Sequence, residues 1–475
     1  MKILPLTSIA LALALTGCIA PPSVTVREHA LDPAQLGLGA NVAAPQADNW
    51  WNAYGDAQLD RLMQQALDGN PTLGVALARV RAAQAVADAT DAGRSPTISF
   101  DAKVTQQRFS RTDVIPPPYA GGVHAEGHQG LNLSWDLDFW GRQAALLDQA
   151  QSNTLAAGLD AAGARLALTG AVLQAYVDLD RQYALADVSA LSAAQRQQIL
   201  DLTRRRVGAG IDTNVDLREA EGAVPQAQVE LRQAQADQAR AVHLLAALGG
   251  KGADAYAQIA RPTWQIEAAL PLPPALPANL LGRRPDVLAA RARVEAAGAG
   301  QAAAKAAFYP DINLSAFIGT AAIGLSNLFK SESADYGVGP AISLPLFDAG
   351  RLDAGYRGAT AQIDSSVATY NDTVLRAVRD AADQLTRIDA LADQLGSQRK
   401  ALDAAEAAFR LANERYKAGL SDYLTVLNAE TLVLNARRQR VELVSAQANA
   451  RVALMLAVGG NFNSEPAPTA AVAAN

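Results

Sequence analysis

One cysteine and four histidines in 475 residues leave little material for a metal site, and a lone cysteine cannot form a disulfide within the chain. The histidines, His29, His124, His128 and His243, are scattered. No nucleophile–base set or glycine-rich phosphate loop accompanies them, so the chain reads as neither an enzyme nor a cofactor protein. Aromatic residues supply only 5% of a chain that is 50% hydrophobic. Much of the apolar content is Ala and Leu, which favours long helices over sandwiches. An excess of basic charge is also missing: the formal charge is −6, which argues against a general nucleic-acid partner. Beyond the first residues no uninterrupted run of about 18 apolar residues occurs. If this chain crosses a membrane, strands must do it.

The position of the one cysteine is informative. The chain opens MKILPLTSIALALALTGC, with Lys2 as a basic start, Ile3 to Leu15 as an apolar stretch and Cys18 at its end. The stretch reads as a secretory signal over residues 1–17. Its Leu-Thr-Gly-Cys end resembles a bacterial lipobox, which implies a covalent lipid on Cys18 and no other cofactor. Each buried CH2 of an acyl chain contributes about 0.8 kcal/mol, so several chains make a lasting anchor. Ile19 rather than Asp after the cysteine resembles the outer-membrane-directed form of Gram-negative lipoproteins. Loss of residues 1–17 removes Lys2 and takes the charge from −6 to −7.

What the chain does have, it has twice. Pro71 and Pro96 lie 25 residues apart, as do Pro285 and Pro310. Proline suits the first turn of a helix and the first residue of a strand, so each pair brackets one helix and opens one strand. Leu133 to Arg142 (LSWDLDFWGR) reappears 209 residues on as Ile342 to Arg351 (ISLPLFDAGR). The same offset aligns Arg206-Val207-Gly208-Ala209-Gly210 with Arg415-Tyr416-Lys417-Ala418-Gly419, and Ala220-Glu221 with Ala429-Glu430. Gly-Gly closes both halves, at 249–250 and 459–460. This is a tandem duplication, each half reading helix, strand, loop, strand, long helix, tight turn, long helix.

Strands are expected near 96–106, 129–139, 310–319 and 338–347. The second shows strict alternation: Leu131, Leu133, Trp135, Leu137 and Phe139 against Asn132, Ser134, Asp136 and Asp138. Long helices are expected over 142–206, 213–248, 351–415 and 422–458. The first has no proline and would span on the order of 95 Å at 1.5 Å per residue. Leu159, Leu166 and Leu173 recur every seven residues along it, a seam suited to knobs-into-holes packing. The expected division is a signal (1–17), a lipidated N-terminal segment (18–62), repeat 1 (63–250), a Pro-rich linker (251–281), repeat 2 (282–460) and a disordered tail (461–475).

Four segments carry a family likeness: Trp50 to Tyr54 with Leu59, the LPANLLGRRPD run at 276–286, Asp136 to Arg142, and Arg415 to Gly419. In these the chain, from Cys18 to about Gly460, resembles the outer-membrane efflux protein family of the TolC/OprM type, and more narrowly its lipoprotein branch. The resemblance implies a mainly α fold with a membrane β-barrel. Three copies would pool a twelve-stranded barrel and continue it as a periplasmic α-helical barrel. It also implies a Gram-negative outer-membrane location, a periplasmic membrane-fusion adaptor and an inner-membrane pump, of the resistance-nodulation-division type above others. The function implied is the exit duct of a drug or toxic-compound exporter. The Phe139-Trp140-Gly141 corner is similar to that of members working with aromatic-acid exporters.

The resemblance also assigns residues. Arg206, Gly208, Gly210, Arg415, Tyr416 and Gly419 fall at the periplasmic tips, where the adaptor docks. Asp216 falls at a gating Asp and Tyr416 at a gating Tyr, which implies a hydrogen bond between them. Thr425 and Asn428 stand where the best-known member carries two carboxylates that ring the lumen, so cation block of the mouth should be weaker here unless Asp216 or Glu219 substitutes. In the second strand Leu133, Trp135 and Leu137 would meet lipid, and Asp136 and Asp138 would face the lumen. Phe139 and Trp140 would form the inner aromatic girdle, with the strand running into the helix without a turn. Two other readings compete: a lipid-anchored coiled-coil tether without a pore, and a type I secretion channel.

Overall fold

The computed structural model describes residues 21–32, 36, 49–264 and 280–460. The signal, Cys18, linker residues 265–279 and the tail 461–475 lie outside the described residues.

The duplication is explicit in the elements. After a short 3-10 turn (Trp50–Tyr54) and α1 (Ala57–Gly69), repeat 1 runs α2 (Pro71–Ala92), β1 (Thr97–Arg108), β2 (Val123–Asp136), α3 (Arg142–Gly208) and α4 (Asn214–Leu248). Repeat 2 runs α5 (Pro285–Ala306), β3 (Asp311–Ile323), β4 (Ala334–Ser343), α6 (Arg351–Lys417) and α7 (Tyr423–Ala457). The helix lengths match pair by pair: 22 residues for α2 and α5, 67 for α3 and α6, 35 for α4 and α7. Pro71 and Pro285 each occupy the first helical position, where a missing N–H costs nothing.

The chain divides into two compact units. One comprises the residues up to Ala30, Arg79–Ala157 and Ala289–Asn371, and its centre is the sheet. The order is β1-β2-β3-β4, an antiparallel meander in which β2 pairs with β3 and so joins the hairpins of the two repeats. The strand bounds differ from expectation. β2 starts at Val123 rather than 129 because pairing with β1 continues out to Arg108↔Val123, through a polar stretch without apolar alternation. It stops at Asp136, and β4 stops at Ser343 rather than 347.

The expected uninterrupted passage from strand to helix is not what forms. Asp138 (φ 37°) and Gly141 (φ 72°) sit in the left-handed region and break the extended backbone. Asp138, expected on the lumen face of the strand, instead caps α3: its carboxylate accepts from the backbone N–H of Gln143 and of Ala144, each at 2.9 Å. The unpaired N–H groups of a helix's first turn attract such an acceptor. Asp348 does the same for α6, accepting from Leu352 N–H at 2.8 Å, although it stands one place out of register with Asp138.

The other unit comprises Leu31–Ala78, Gly158–Leu288 and the residues from Asp372. Its largest core gathers Trp50, Trp51 and Tyr54 with Leu59 and Met63 of α1, Leu173, Tyr176 and Leu179 of α3, Leu245 of α4, and Trp264. Of the heptad seam, Leu173 is fully buried and Leu159 and Leu166 half-buried. Asp56 organises this core. It caps α1 through Gln58 and Leu59, and it accepts from the Tyr176 hydroxyl (2.8 Å) and the Thr263 N–H (2.9 Å). Burial pushes its carboxyl up, but these donors prevail and hold it below the usual value. Two close contacts seal the repeats: a Cβ on Gly250 would lie 2.2 Å from the Gly69 carbonyl oxygen, and one on Gly459 would lie 2.0 Å from that of Arg283. Each contact meets the residue two before a helix-opening proline. Among the described residues, α3 alone has an 18-residue window apolar enough to span a membrane, with mean hydropathy 1.2.

Candidate functional site

Two places carry functional geometry, one in each unit. In the sheet, the pleat sorts side chains by polarity. The register pairs Ile98↔Leu133, Phe100↔Leu131, Leu133↔Ala316, Trp135↔Leu314, Ile318↔Tyr336, Ala316↔Val338 and Ile312↔Ile342 on one face. The opposite face carries Ser99↔Asn132, Lys103↔His128, Thr105↔Glu126, Ser134↔Ser315 and Asp136↔Asn313. Polar links run across it, Asn132 to Asp101 at 2.7 Å and Asn313 to Ser134 at 3.0 Å. Large apolar residues on the first face are bare: Ile98 is 69% exposed, Phe100 64% and Val338 77%. A soluble sheet would bury that face on a core. Phe317 is an exception, lying on the polar face across Gly337, where its ring fills the space a side chain would take.

Asp136 stays in the strand on the polar face, with one oxygen 3.1 Å from the Asp138 N–H and the other accepting from the Gln143 amide at 3.1 Å. Phe139 and Trp140 are exposed just past the strand end; the Trp140 indole donates to the Pro310 carbonyl at 2.7 Å and stacks on Tyr309 at 4.9 Å. The faces give a direct expectation. Leu133→Arg should destabilise the inserted protein by about 2–4 kcal/mol and Ser134→Arg by less than about 1, measured by unfolding from lipid vesicles.

The second place is the pair of tip turns. Both close identically. Ile211 N–H donates to the Arg206 carbonyl (2.9 Å) and Leu420 N–H to that of Arg415 (2.8 Å), six residues spanned each time. Gly210 (φ 72°) and Gly419 (φ 77°) take the left-handed position this closure requires. Gly208 ends α3, and α4 starts at a capping box of Thr213 and Asp216.

That box corrects the expected hydrogen bond between Asp216 and Tyr416. Asp216 is occupied by Thr213, accepting from its N–H at 2.9 Å and its hydroxyl at 2.7 Å. Tyr416 meets Asp212 instead, its hydroxyl donating to the carboxylate at 2.6 Å. A capping carboxylate is already satisfied locally, which leaves the acid inside the turn to face α6. Arg206 holds Asp212 with two parallel bonds, Nε at 2.8 Å and Nη2 at 2.9 Å. Its guanidinium also donates to the Tyr416 carbonyl and lies 4.3 Å from the centre of the Tyr416 ring. The Thr203 hydroxyl lies 2.8 Å from that of Tyr416 and 2.9 Å from the Ile199 carbonyl, and its single proton serves one of them at a time. Arg206, Thr203 and Tyr416 are all buried.

The Arg206 bonds hold the Asp212 carboxyl below its ordinary value, while burial and then the Asp212 bond push Tyr416 up to about 12. Of the residues expected at the docking surface, Arg206 and Tyr416 are therefore interior to this cluster, while Arg415, Gly208, Gly210 and Gly419 are exposed. Thr425 and Asn428 are exposed on α7; Thr425 donates to the capping Asp422 at 2.6 Å. Glu430 is buried instead, 3.6 Å from Arg196, and burial raises its carboxyl.

Sequence reasoning missed Asp212, and it missed the apolar tip residues. Ile211 and Val215 are 60% and 67% exposed, Leu420 and Leu424 68% and 53%. The 209-residue offset that aligned the turns also pairs Ile211 with Leu420 and Val215 with Leu424, and would have flagged them.

The model of a family described as "Outer membrane efflux protein" matches residues 62–251 and 276–460. The chain is 30% identical over 470 residues to multidrug resistance outer membrane protein MdtP of Shigella flexneri, covering 95% of each. It is 34% identical to fusaric acid resistance protein FusA of Burkholderia cepacia, covering 76% of this chain and 70% of the relative. It superposes on the crystal structure of outer membrane protein VceC of Vibrio cholerae with a TM-score of 0.83 and 35% identity, covering 88% of this chain and 100% of the other.

Proposed function

The chain belongs to the outer membrane efflux protein family and is an outer-membrane efflux channel; from that premise we propose that three copies assemble into the exit duct of a tripartite pump. The observation that carries the assembly is the four-stranded sheet with a bare apolar face and two unpaired edges, β1 and β4. Lipid tolerates no open edge, and four strands cannot close on themselves. Identical subunits joined head to tail, β4 to the next β1, close a ring of twelve strands with the polar face lining the lumen. The long helices of three copies continue the wall into the periplasm. The duct performs no chemistry and draws its energy from the pump.

The exposed apolar pairs Ile211/Val215 and Leu420/Leu424 support docking of a periplasmic adaptor at the tips, with a pump of the resistance-nodulation-division type behind it. The Arg206–Asp212–Tyr416 latch closes the mouth in the resting state. Cys18 carries the lipid. Relatives named for multidrug and fusaric acid resistance favour small-molecule cargo, a small aromatic acid among them, over a secreted polypeptide. The test is the Cys18→Ala protein. It should remain in the outer-membrane fraction, held by its barrel, and form ion-conducting pores in planar bilayers. A Cys18→Ala protein that becomes soluble without detergent and conducts nothing would instead establish a lipid-anchored tether.

A further inference from the structure

Below the inner ends of the strands, within the sheet-bearing unit, lies a cavity of about 290 Å³. Arg142 and Arg351 both line it. They are equivalent under the 209-residue repeat, and each is the first residue of a 67-residue helix. That is the wrong end for a cation, since a helix N-terminus is itself positive. Neither guanidinium has a hydrogen bond or ion pair among the described residues, whereas Asp136 and Asp138, which also line the cavity, are engaged with Gln143, Ala144 and the local backbone. The cavity therefore presents two free positive forks. It also presents Asp311, whose carboxylate has no partner among the described residues. The Trp140–Tyr309 stack forms one wall, and Ile312, from the bare apolar face, forms another.

We propose that this cavity binds the headgroup of a phosphoethanolamine-type phospholipid, and the proposal rests on the reading of the sheet as membrane-embedded. Arginine forks match phosphate oxygens bidentately, and the two at this site receive the phosphodiester. Asp311 accepts from the primary ammonium, beside aromatic faces that also favour a cation. The cavity lies at the strand end, where the two faces meet: Asp311 belongs to the polar face and Ile312 to the apolar one, and the acyl chains continue along the latter. A cavity holding both signs of charge selects a zwitterion over an anionic lipid, and the N–H donors of a primary ammonium over a quaternary one.

The full chain, purified in detergent, can be titrated with phosphatidylethanolamine, phosphatidylcholine, phosphatidylglycerol and inorganic phosphate, with bound species read by native mass spectrometry. The wild type should retain phosphatidylethanolamine preferentially, one per subunit. Arg142→Gln with Arg351→Gln should weaken retention tenfold or more, and the corresponding Lys pair should restore part of it. Asp311→Asn should erase the preference over phosphatidylglycerol while leaving phosphate-dependent binding, and it carries the test alone if the Gln pair fails to fold. Equal retention by wild type and Gln pair, or no headgroup preference, overturns the proposal. Displacement of the lipid by inorganic phosphate at equal concentration would show an anion site rather than a lipid site, and also overturns it. Flotation of the wild type with vesicles reads the membrane assignment separately: failure there refutes the sheet's location, whereas flotation without headgroup selectivity refutes only this site.

Discussion

Asp212→Ala is expected to raise the conductance of the protein in planar bilayers, and to do so more than any other single substitution at the tips. The side chain removed is the acceptor for two Arg206 bonds and for the Tyr416 hydroxyl. What remains is a buried guanidinium without its counter-ion, a change that costs about 3–5 kcal/mol in comparable sites. If the latch forms only in the closed mouth, 3 kcal/mol is about two decades in the closed–open equilibrium. Tyr416→Phe removes one bond and should have a smaller effect, about 1.5–3 kcal/mol because the bond is charge-assisted. Asp216→Ala breaks only the Thr213 capping box, about 1 kcal/mol of helix stability, and should leave the conductance unchanged. Equal effects of Asp212→Ala and Asp216→Ala would contradict the latch.

The pH dependence follows from the same contacts. The folded-state value of Asp212 is lowered, so its contribution is present above its ordinary 3.8 and is lost as pH falls through the lowered value. Tyr416 is raised, so its contribution is present below its ordinary 10.0 and is lost as pH rises through about 12. Between these limits the wild-type latch should be insensitive to pH, and single-channel recordings across neutral pH should show a constant closed state.

Gly319→Val is expected to prevent the sheet from forming. Gly319 faces Gly130 at the β2–β3 seam, where the two repeats join. A Cβ at Gly319 would lie 2.2 Å from the Gln129 carbonyl oxygen and 2.7 Å from the Gly130 Cα. Both are backbone atoms in the ladder, so relief requires breaking strand pairing rather than turning a side chain. The cost lies at or above the upper end of the overpacking range, about 3 kcal/mol. The variant should fail to give a heat-stable oligomer on gels and fail to conduct. Ala321→Val, two residues along on the same face and exposed, should do neither.

The duplicated architecture was readable because its punctuation is chemical. Prolines at 71 and 285 suit a helix's first turn, and the glycines at 210 and 419 permit the left-handed closure of the tips. The long helices consequently fell within a few residues of expectation. The strands were less legible at their outer ends, since His124, Glu126 and His128 carry no apolar alternation and are extended by pairing to β1. The corner 137–141 misled for a related reason. Asp138 continues the alternating pattern in sequence, yet the demand of α3 for an N-terminal acceptor takes it out of the strand. The latch was half visible. Tyr416 was identified through the resemblance, but its partner was not, because Asp216 in a Thr-x-x-Asp pattern can cap locally and only the fold shows that it does. Asp212 carries no sequence signal beyond its place in the turn.

The central claim is that four strands per chain become a closed barrel only in a ring of three. Electron-microscopic imaging of the detergent-solubilised, full-length protein tests this most directly. The account predicts a particle with threefold symmetry whose transmembrane end is a closed barrel of twelve strands, four from each copy. A monomeric particle, or a ring of any other number of copies, would contradict it.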